Sequence, residues 1–311
     1  MSQLRAYLEL FRLPNVFTAV ADVLMGYLVT HPALGSVSVV ECGLMVVASA
    51  LLYTSGMVLN DVYDAHIDAA ERPKRPIPSG RVSLRYATWL GYELLVVGVC
   101  CAALAGWYGG QWRSGGVALC LAGAVIAYDM LLKKTVLAPL GMGACRFLNV
   151  ALGMSAASIA IAPSHGLIAA GIGAYIVGVT LFSRSEATQS SQVPLTLATV
   201  VMLGGIGVLA WFPFYGSTDG LADDLYRQVN MLGARWWLLW GFIAASILFR
   251  AVKAIGTPSP VNVQTAVKHA IMTLIVLDAS VTFAVHGFVA ATAIILLLLP
   301  ARWLGQWIYS T

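Results

Sequence analysis

Three aspartates, Asp61, Asp64 and Asp68, fall within the nine residues 60–68, in the stretch NDVYDAHIDAAERPKRPIPSG (60–80) that follows a long apolar run. On a continuous helix Asn60, Asp61, Asp64 and Asp68 share one arc of about 100°, while His66 points about 140° away from Asp61. His66 is therefore read as a loop or interface residue rather than a ligand. Carboxylates stacked on one face repel each other, and at a membrane edge their desolvation adds to the cost. Something positive must offset them. Hard oxygen ligands suit Mg²⁺, which binds through one or two carboxylates together with substrate phosphates. Arg72, Lys74, Arg75 and Arg81 follow at once. Pro73, Pro76 and Pro78 predict an extended, stiff segment between them, and Ser79-Gly80 a turn or helix start. A metal on one wall and fixed cations on the other make a pocket for a diphosphate, for which the forked donors of Arg are well suited.

The elements that must position these residues are membrane helices. The 311-residue chain is 59% hydrophobic and 10% charged, against roughly 25% charged residues in soluble domains. The apolar runs are too long for a membrane β-barrel. With about 20 apolar residues needed per crossing, the spans are predicted near 14–32, 37–59, 84–108, 115–132, 136–160, 166–183, 193–214, 235–254, 266–285 and 287–307. The expected fold is an all-α polytopic bundle of about nine transmembrane helices. His286 and Gly287 separate the last two runs, which form either a hairpin with a tenth span or one broken helix. No linker divides the chain, so residues 1–311 are read as a single domain. The external stretch 216–235 suits a short interfacial helix.

Arg5 and Arg12 precede the first span, which lacks a small-residue cleavage site and is read as a retained anchor. They put the N-terminus in the cytoplasm. The cytoplasmic loops are then 60–83, 133–135, 184–192 and 255–265, and these carry most of the Lys and Arg. In a bacterium the location would be the inner membrane. The net charge of +4 is accounted for by this bias and calls for no nucleic acid. Cys42, Cys100, Cys101, Cys120 and Cys145 lie in apolar runs without a C-x-x-C pair and read as small buried hydrophobes.

The pattern N-D-x-x-D-x-x-x-D, followed by R-P-I-P-S-G at 75–80, resembles the signature of the UbiA superfamily of intramembrane prenyltransferases. The resemblance implies a bundle of about nine spans. It implies that Asn60, Asp61, Asp64 and Asp68 hold Mg²⁺ and the diphosphate of a polyprenyl donor. It also directs attention to Tyr128, Lys133 and Lys134 in AYDMLLKK, as a second cytoplasmic site. Asp129 lies at the apolar end of that span and needs a partner.

In MGACRFLNVALG, Arg146 lies deep in the fifth span, and Asn149 shares its face. An arginine at such depth faces the bundle interior or a wet cavity. Both are read as cavity-lining, with a structural pairing of Arg146 to an interior carboxylate as the alternative; Asp22 and Asp278 are candidate partners. The stretch LFSRSEATQSSQ (181–192) departs from the family, which carries a second aspartate motif there. It offers Arg184 and Glu186 but no aspartate.

The expected activity is Mg²⁺-dependent transfer of an isoprenoid chain to an aromatic or other lipophilic acceptor. Asp61, Asp64 and Arg146 are the candidate catalytic residues. Asn60, Arg72, Arg75, Tyr128, Lys133, Asn149, Arg184 and Glu186 would bind substrate, and Asp61, Asp64 and Asp68 the metal. Tyr53, Tyr63, Tyr128 and Phe147 are candidates to line a carbocation cavity. The alternative is a lipid-binding accessory protein without turnover. The Y-D-x-L-L-K and M-G-x-C-R-x-L-N segments resemble the UbiA-like EboC branch, which is associated with metabolite handling and export. The D-G-x-x-A-R pattern of CDP-alcohol phosphotransferases is absent.

Overall fold

The computed structural model describes residues 3–31, 33, 35, 37–157, 161–184, 192–215 and 229–307. Among them every regular element is helical. A short α1 (Gln3–Leu10) leads into α2 (Leu13–Val29) and α3 (Val39–Tyr63), and α4 (Ala65–Glu71) follows with a break at Asp64. Next come α5 (Leu84–Tyr108) and α6 (Arg113–Ala127), which continues as a π-helical turn, Tyr128–Leu132. The remaining helices are α7 (Ala138–Met154), α8 (Pro163–Ser183), α9 (Gln192–Trp211), α10 (Ala234–Gly256), α11 (Pro260–Ile295) and α12 (Leu298–Trp307).

Seven helical stretches among the described residues are long and apolar enough to cross a membrane, and the 17-residue α2 is a shorter apolar helix. Most of the span reading stands within a few residues. Ser38, Ser83 and Ser259 cap α3, α5 and α11 by accepting the backbone N–H groups of Glu41, Tyr86 and Asn262. Proline sits in the first turn of α2, α7, α8 and α11, where a missing N–H costs nothing. The interfacial helix expected over 216–235 lies mostly outside the described residues.

Two apolar cores divide the bundle. One lies among α8, α9, α10 and α11, and the other among α3, α5 and α6. Both reach onto α2 and α7, which form the seam between them. That seam is tight because Gly26 and Gly153 face backbone across it. A Cβ on Gly26 would land on the Val150 carbonyl, and one on Gly153 on the Val23 carbonyl. Small residues at such contacts let membrane helices approach closely.

At the C-terminal end, Gly287 has φ 72° and ψ −159°, a conformation open to glycine. Just before it, His286 Nε2 meets the Leu28 carbonyl at the far end of α2, at 2.9 Å. Beyond it, Gly305 comes back beside Pro14 at the near end of α2. The chain therefore reverses at Gly287, and the last apolar run doubles back as a hairpin.

The proline-rich segment differs from the expected extended form. Residues 73–80 fold as successive turns. Arg75 N–H donates to the Arg72 carbonyl, Ser79 N–H to Arg75 and Val82 N–H to Pro76. The fixed φ of proline suits the second position of a turn as well as an extended strand, and the free N–H groups between the prolines close the turns. Ile77 and Val82 then pack on Ala6 and Leu10 of α1 and on Val58 of α3. Arg81 ties the segment to α1 through Glu9 at 2.7 Å.

Candidate active site

The aspartates form two groups rather than one arc. α3 ends at Tyr63, and Asp64 (φ −92°, ψ 0°) links it to α4. The break turns Asp64 away from its neighbours, and like charges at helical spacing favour such a break. Asp61 and Asp68, both buried, share one cation. Arg75 Nη1 lies 3.2 Å from Asp61 Oδ1 and 2.6 Å from Asp68 Oδ2. Asp64 instead pairs with Lys133 Nζ at 2.8 Å. Lys133 also donates to the Asn60 carbonyl at 3.3 Å and stands 5.9 Å from the centre of the Tyr63 ring. His66 is exposed, in line with its reading.

A further cation completes the cluster. Arg12 Nη2 lies 2.9 Å from Asp61 Oδ1. The sequence suggested only an orientation anchor for Arg12. Its role depends on its left-handed backbone (φ 45°, ψ 47°) at the junction of α1 and α2. An L-residue rarely adopts that conformation, and no local pattern announces it. Three carboxylates are thus neutralised by Arg12, Arg75 and Lys133.

Below this cluster lies an apolar cavity between α3, α6 and α7, with about 530 Å³ of empty space that opens outward. Asn60, Tyr128 and Asp129 stand along its wall, with Tyr53 and Arg146 among the other lining residues. Asn60 Nδ2 donates to Asp129 Oδ1 at 2.9 Å, the partner that this buried acid required. Tyr128 and Asp129 open the π-turn, a form often found at functional positions.

Arg146 and Asn149 line the cavity but are committed to α2. Arg146 donates to Asp22 Oδ2 at 2.6 Å and to Thr18 Oγ1 at 2.7 Å, and its guanidinium lies 5.1 Å from the Tyr53 ring centre. Asn149 donates to the Ala19 carbonyl and to Asp22, and accepts from Ser49. The structural pairing of Arg146 is thus present, with Asp22 as its partner.

Other candidates stand apart. Arg72 is exposed on the loop, where its backbone N–H donates to the Asp68 carbonyl, and Arg184 is exposed at the C-terminal end of α8; neither guanidinium forms an ion pair with the three aspartates. Glu186 lies outside the described residues. Phe147 is exposed and does not line the cavity, and Tyr63 bonds to Tyr92 at 2.6 Å.

The site residues fit a hard cation. Every donor in the cluster is oxygen, from three carboxylates and the Asn60 amide, with no thiol or imidazole among them. Among the described residues no three acidic, thiol or imidazole side chains converge closely enough to hold a metal alone. A divalent ion there would need oxygens from a second anion, which is the usual manner of Mg²⁺ with phosphates.

A family model, the UbiA prenyltransferase family, matches residues 19–311. The chain belongs to the UbiA prenyltransferase family. With its long apolar helices, it is an integral membrane protein. Digeranylgeranylglyceryl phosphate synthase of Metallosphaera sedula is 41% identical over 129 residues, 42% of this chain and 43% of that protein. The enzyme of the same name from Saccharolobus solfataricus is 35% identical over 132 residues, 42% of this chain and 44% of its own length. These matches span less than half of either relative. A UbiA homologue from Aeropyrum pernix K1 superimposes with a TM-score of 0.63 at 18% identity, covering 85% of this chain and 96% of that one. A UbiA homologue from Archaeoglobus fulgidus, solved with GPP and Mg²⁺, gives 0.57 at 12% identity over 86% and 99%. At those identities the two structures speak for the shared UbiA fold.

Proposed function

We propose that the chain, acting as one unit, is an intramembrane prenyltransferase that moves an isoprenoid chain from a polyprenyl diphosphate to a lipophilic acceptor. The observation that carries this reading is the juxtaposition at one cavity mouth of three carboxylates, three cations and an apolar chamber. The names of the M. sedula and S. solfataricus relatives and the GPP and Mg²⁺ bound by the A. fulgidus homologue support it.

In the transfer, the allylic C–O bond to the diphosphate breaks, a bond forms from the acceptor's nucleophilic atom, and the acceptor's proton leaves. Asp61, Asp64 and Asp68 would hold Mg²⁺, which supplies positive charge to the departing diphosphate. Arg75 and Lys133, with Arg12, can turn from the aspartates to the diphosphate as its charge develops. Asn60 orients Asp129 at the cavity wall. Tyr53 and Tyr128 offer ring faces to an allylic cation. The isoprenoid tail would pass between helices toward lipid. The mouth and the N-terminus are assigned to the cytoplasmic side because the basic loops lie there.

The acceptor question is a choice of chemistry at the same mouth. Relatives named for digeranylgeranylglyceryl phosphate make a monoprenylated glyceryl phosphate the first acceptor to try. The test is product formation by purified protein with geranylgeranyl diphosphate, Mg²⁺ and either that acceptor or an aromatic acid. Asp61→Ala and Asp64→Ala should each abolish Mg²⁺-dependent product while the protein stays folded. Unchanged product formation in both would sink the assignment.

A second reading is favoured by the sequence LFSRSEATQSSQ, which lacks the second acidic motif of the family. In that case the chain binds a prenyl diphosphate with Mg²⁺ but turns over with no acceptor. A Mg²⁺-dependent rise in melting temperature with the donor, without product from any acceptor, would support it.

A further inference from the structure

The cavity wall carries one carboxyl group that the proposed transfer leaves without a ligand of its own. Asp129 stands in the π-turn at the end of α6, is buried, and lines the chamber. Its Oδ1 accepts from Asn60 Nδ2 at 2.9 Å. Its Oδ2 takes no hydrogen bond from any described residue. The deeper polar groups of the wall are spent within the fold. Arg146 is held by Asp22 and Thr18, and Asn149 by Ala19, Asp22 and Ser49. A carboxylate only accepts hydrogen bonds, and it has room for several. If Asp129 served only to hold Asn60, an amide would do so without a charge to desolvate.

The position of this oxygen says what it faces. Asn60 ties Asp129 to the acidic cluster: its carbonyl takes Lys133 Nζ at 3.3 Å, and Lys133 pairs with Asp64 at 2.8 Å. A group bonded to Asp129 Oδ2 would therefore lie where the chamber meets the head of the bound donor. That is the place of the acceptor's attacking atom.

An acceptor-only oxygen selects a ligand with a proton to give. An alcohol offers an O–H at the atom that attacks, whereas an aromatic carbon does not. An aromatic acid would also bring a carboxylate on its ring, and Arg146, the cation among the lining residues, is committed to Asp22. A glyceryl phosphate can leave its charged group outside the mouth. Leu52, Met57, Leu121, Val125 and Met142 make the rest of the wall suit a hydrocarbon chain.

We propose that Asp129 Oδ2 binds the hydroxyl of the acceptor, and that the acceptor is an alcohol carried on an apolar chain rather than an aromatic acid. This inference rests on the prenyltransferase reading and narrows it. Asp129 determines which acceptor is taken, and Asn60 holds it in place for that task.

The test measures binding rather than transfer, by calorimetry on the purified full chain in lipid nanodiscs. The protein is first loaded with Mg²⁺ and geranylgeranyl thiolodiphosphate, a donor analogue that resists loss of its diphosphate. Two probes are then compared: geranylgeranylglyceryl phosphate, and the same molecule with hydrogen in place of its free hydroxyl. The wild type should bind the alcohol about 10- to 100-fold more tightly, the worth of one hydrogen bond to a charged group. Asp129→Leu should bind the two probes alike. Asp129→Asn keeps the Asn60 contact through its amide oxygen and serves if the leucine variant fails to fold. Its ratio should fall to about threefold, the worth of a neutral hydrogen bond. Cys145→Ala, elsewhere on the wall, should keep the wild-type ratio. A ratio that stays at the wild-type level in either Asp129 variant overturns the proposal, and so does tighter binding of 4-hydroxybenzoate than of the alcohol. A wild type that binds the donor analogue but treats both probes alike overturns this inference and leaves the prenyltransferase reading standing. A wild type that does not bind the donor analogue overturns both.

Discussion

At the scale of single residues, the acidic cluster is held by few contacts with large leverage. One atom, Arg75 Nη1, serves both Asp61 and Asp68. Arg75→Ala should therefore leave two carboxylates short of a partner and cost about 2–4 kcal/mol, toward the value for breaking a buried pair. Lys133→Ala frees only the more exposed Asp64 and should cost less. Thermal unfolding in detergent of the two variants checks the order. Arg12→Ala should lower the proposed transfer by about 10- to 100-fold, the worth of one charge-assisted hydrogen bond, with a smaller effect on stability. Rates at saturating donor would show it. The aspartates, Asn60, Arg75 and Lys133 were legible because their types and spacing carry the chemistry. Arg12 was not, because a left-handed residue at a helix junction leaves no trace in composition. The role of Asp64 was only half legible: its identity was plain, but the arc assumed a helix that runs on, and the helix breaks at that residue.

At the scale of elements, α2 and α7 form the seam that joins the two apolar cores. Gly26 and Gly153 bring their backbones together, and only at that distance can Arg146 reach Asp22. Gly153→Ala should push the helices apart and destabilise the protein by about 1–3 kcal/mol, the range for overpacking. Thermal melts would check the size. A matched loss in Gly26→Ala would locate it at this seam. The span boundaries could be read to within a few residues from apolar run length. The π-turn at Tyr128–Leu132 and the folded turns of 73–80 could not. Both depend on which backbone groups find partners, and proline and apolar patterns are equally compatible with the simpler forms. The reversal at Gly287 was one of two readings that the sequence left open, since a glycine allows a turn without requiring it. Gly287→Ala should be strained by about 1–3 kcal/mol, with increased protease sensitivity of the C-terminal hairpin as its mark.

At the scale of the whole molecule, hydropathy predicted the class, a membrane-embedded helical bundle. The basic residues Arg12, Arg75 and Lys133 gather around the acidic cluster, next to Asn60 at the cavity wall. A cysteine replacing exposed Lys74 should react with a membrane-impermeant maleimide only in inverted vesicles, whereas one replacing exposed Trp112 should react only in right-side-out cells. Labelling of both from the same side would reverse or break the proposed orientation. The likeness to other UbiA-family structures at low identity fits this picture. The helical bundle needs only apolar runs of the right length, whereas the site needs particular side chains at particular breaks.

The pairing of Asp22 with Arg146, 124 residues apart in sequence, also has a consequence in time. Synthesis runs from the N-terminus, so α2 carries its carboxyl into the membrane before the guanidinium exists. Arg146 can claim Asp22 as soon as α7 inserts. The chamber between α3, α6 and α7 is then assembled with its acid and base matched while the rest of the chain is still being made.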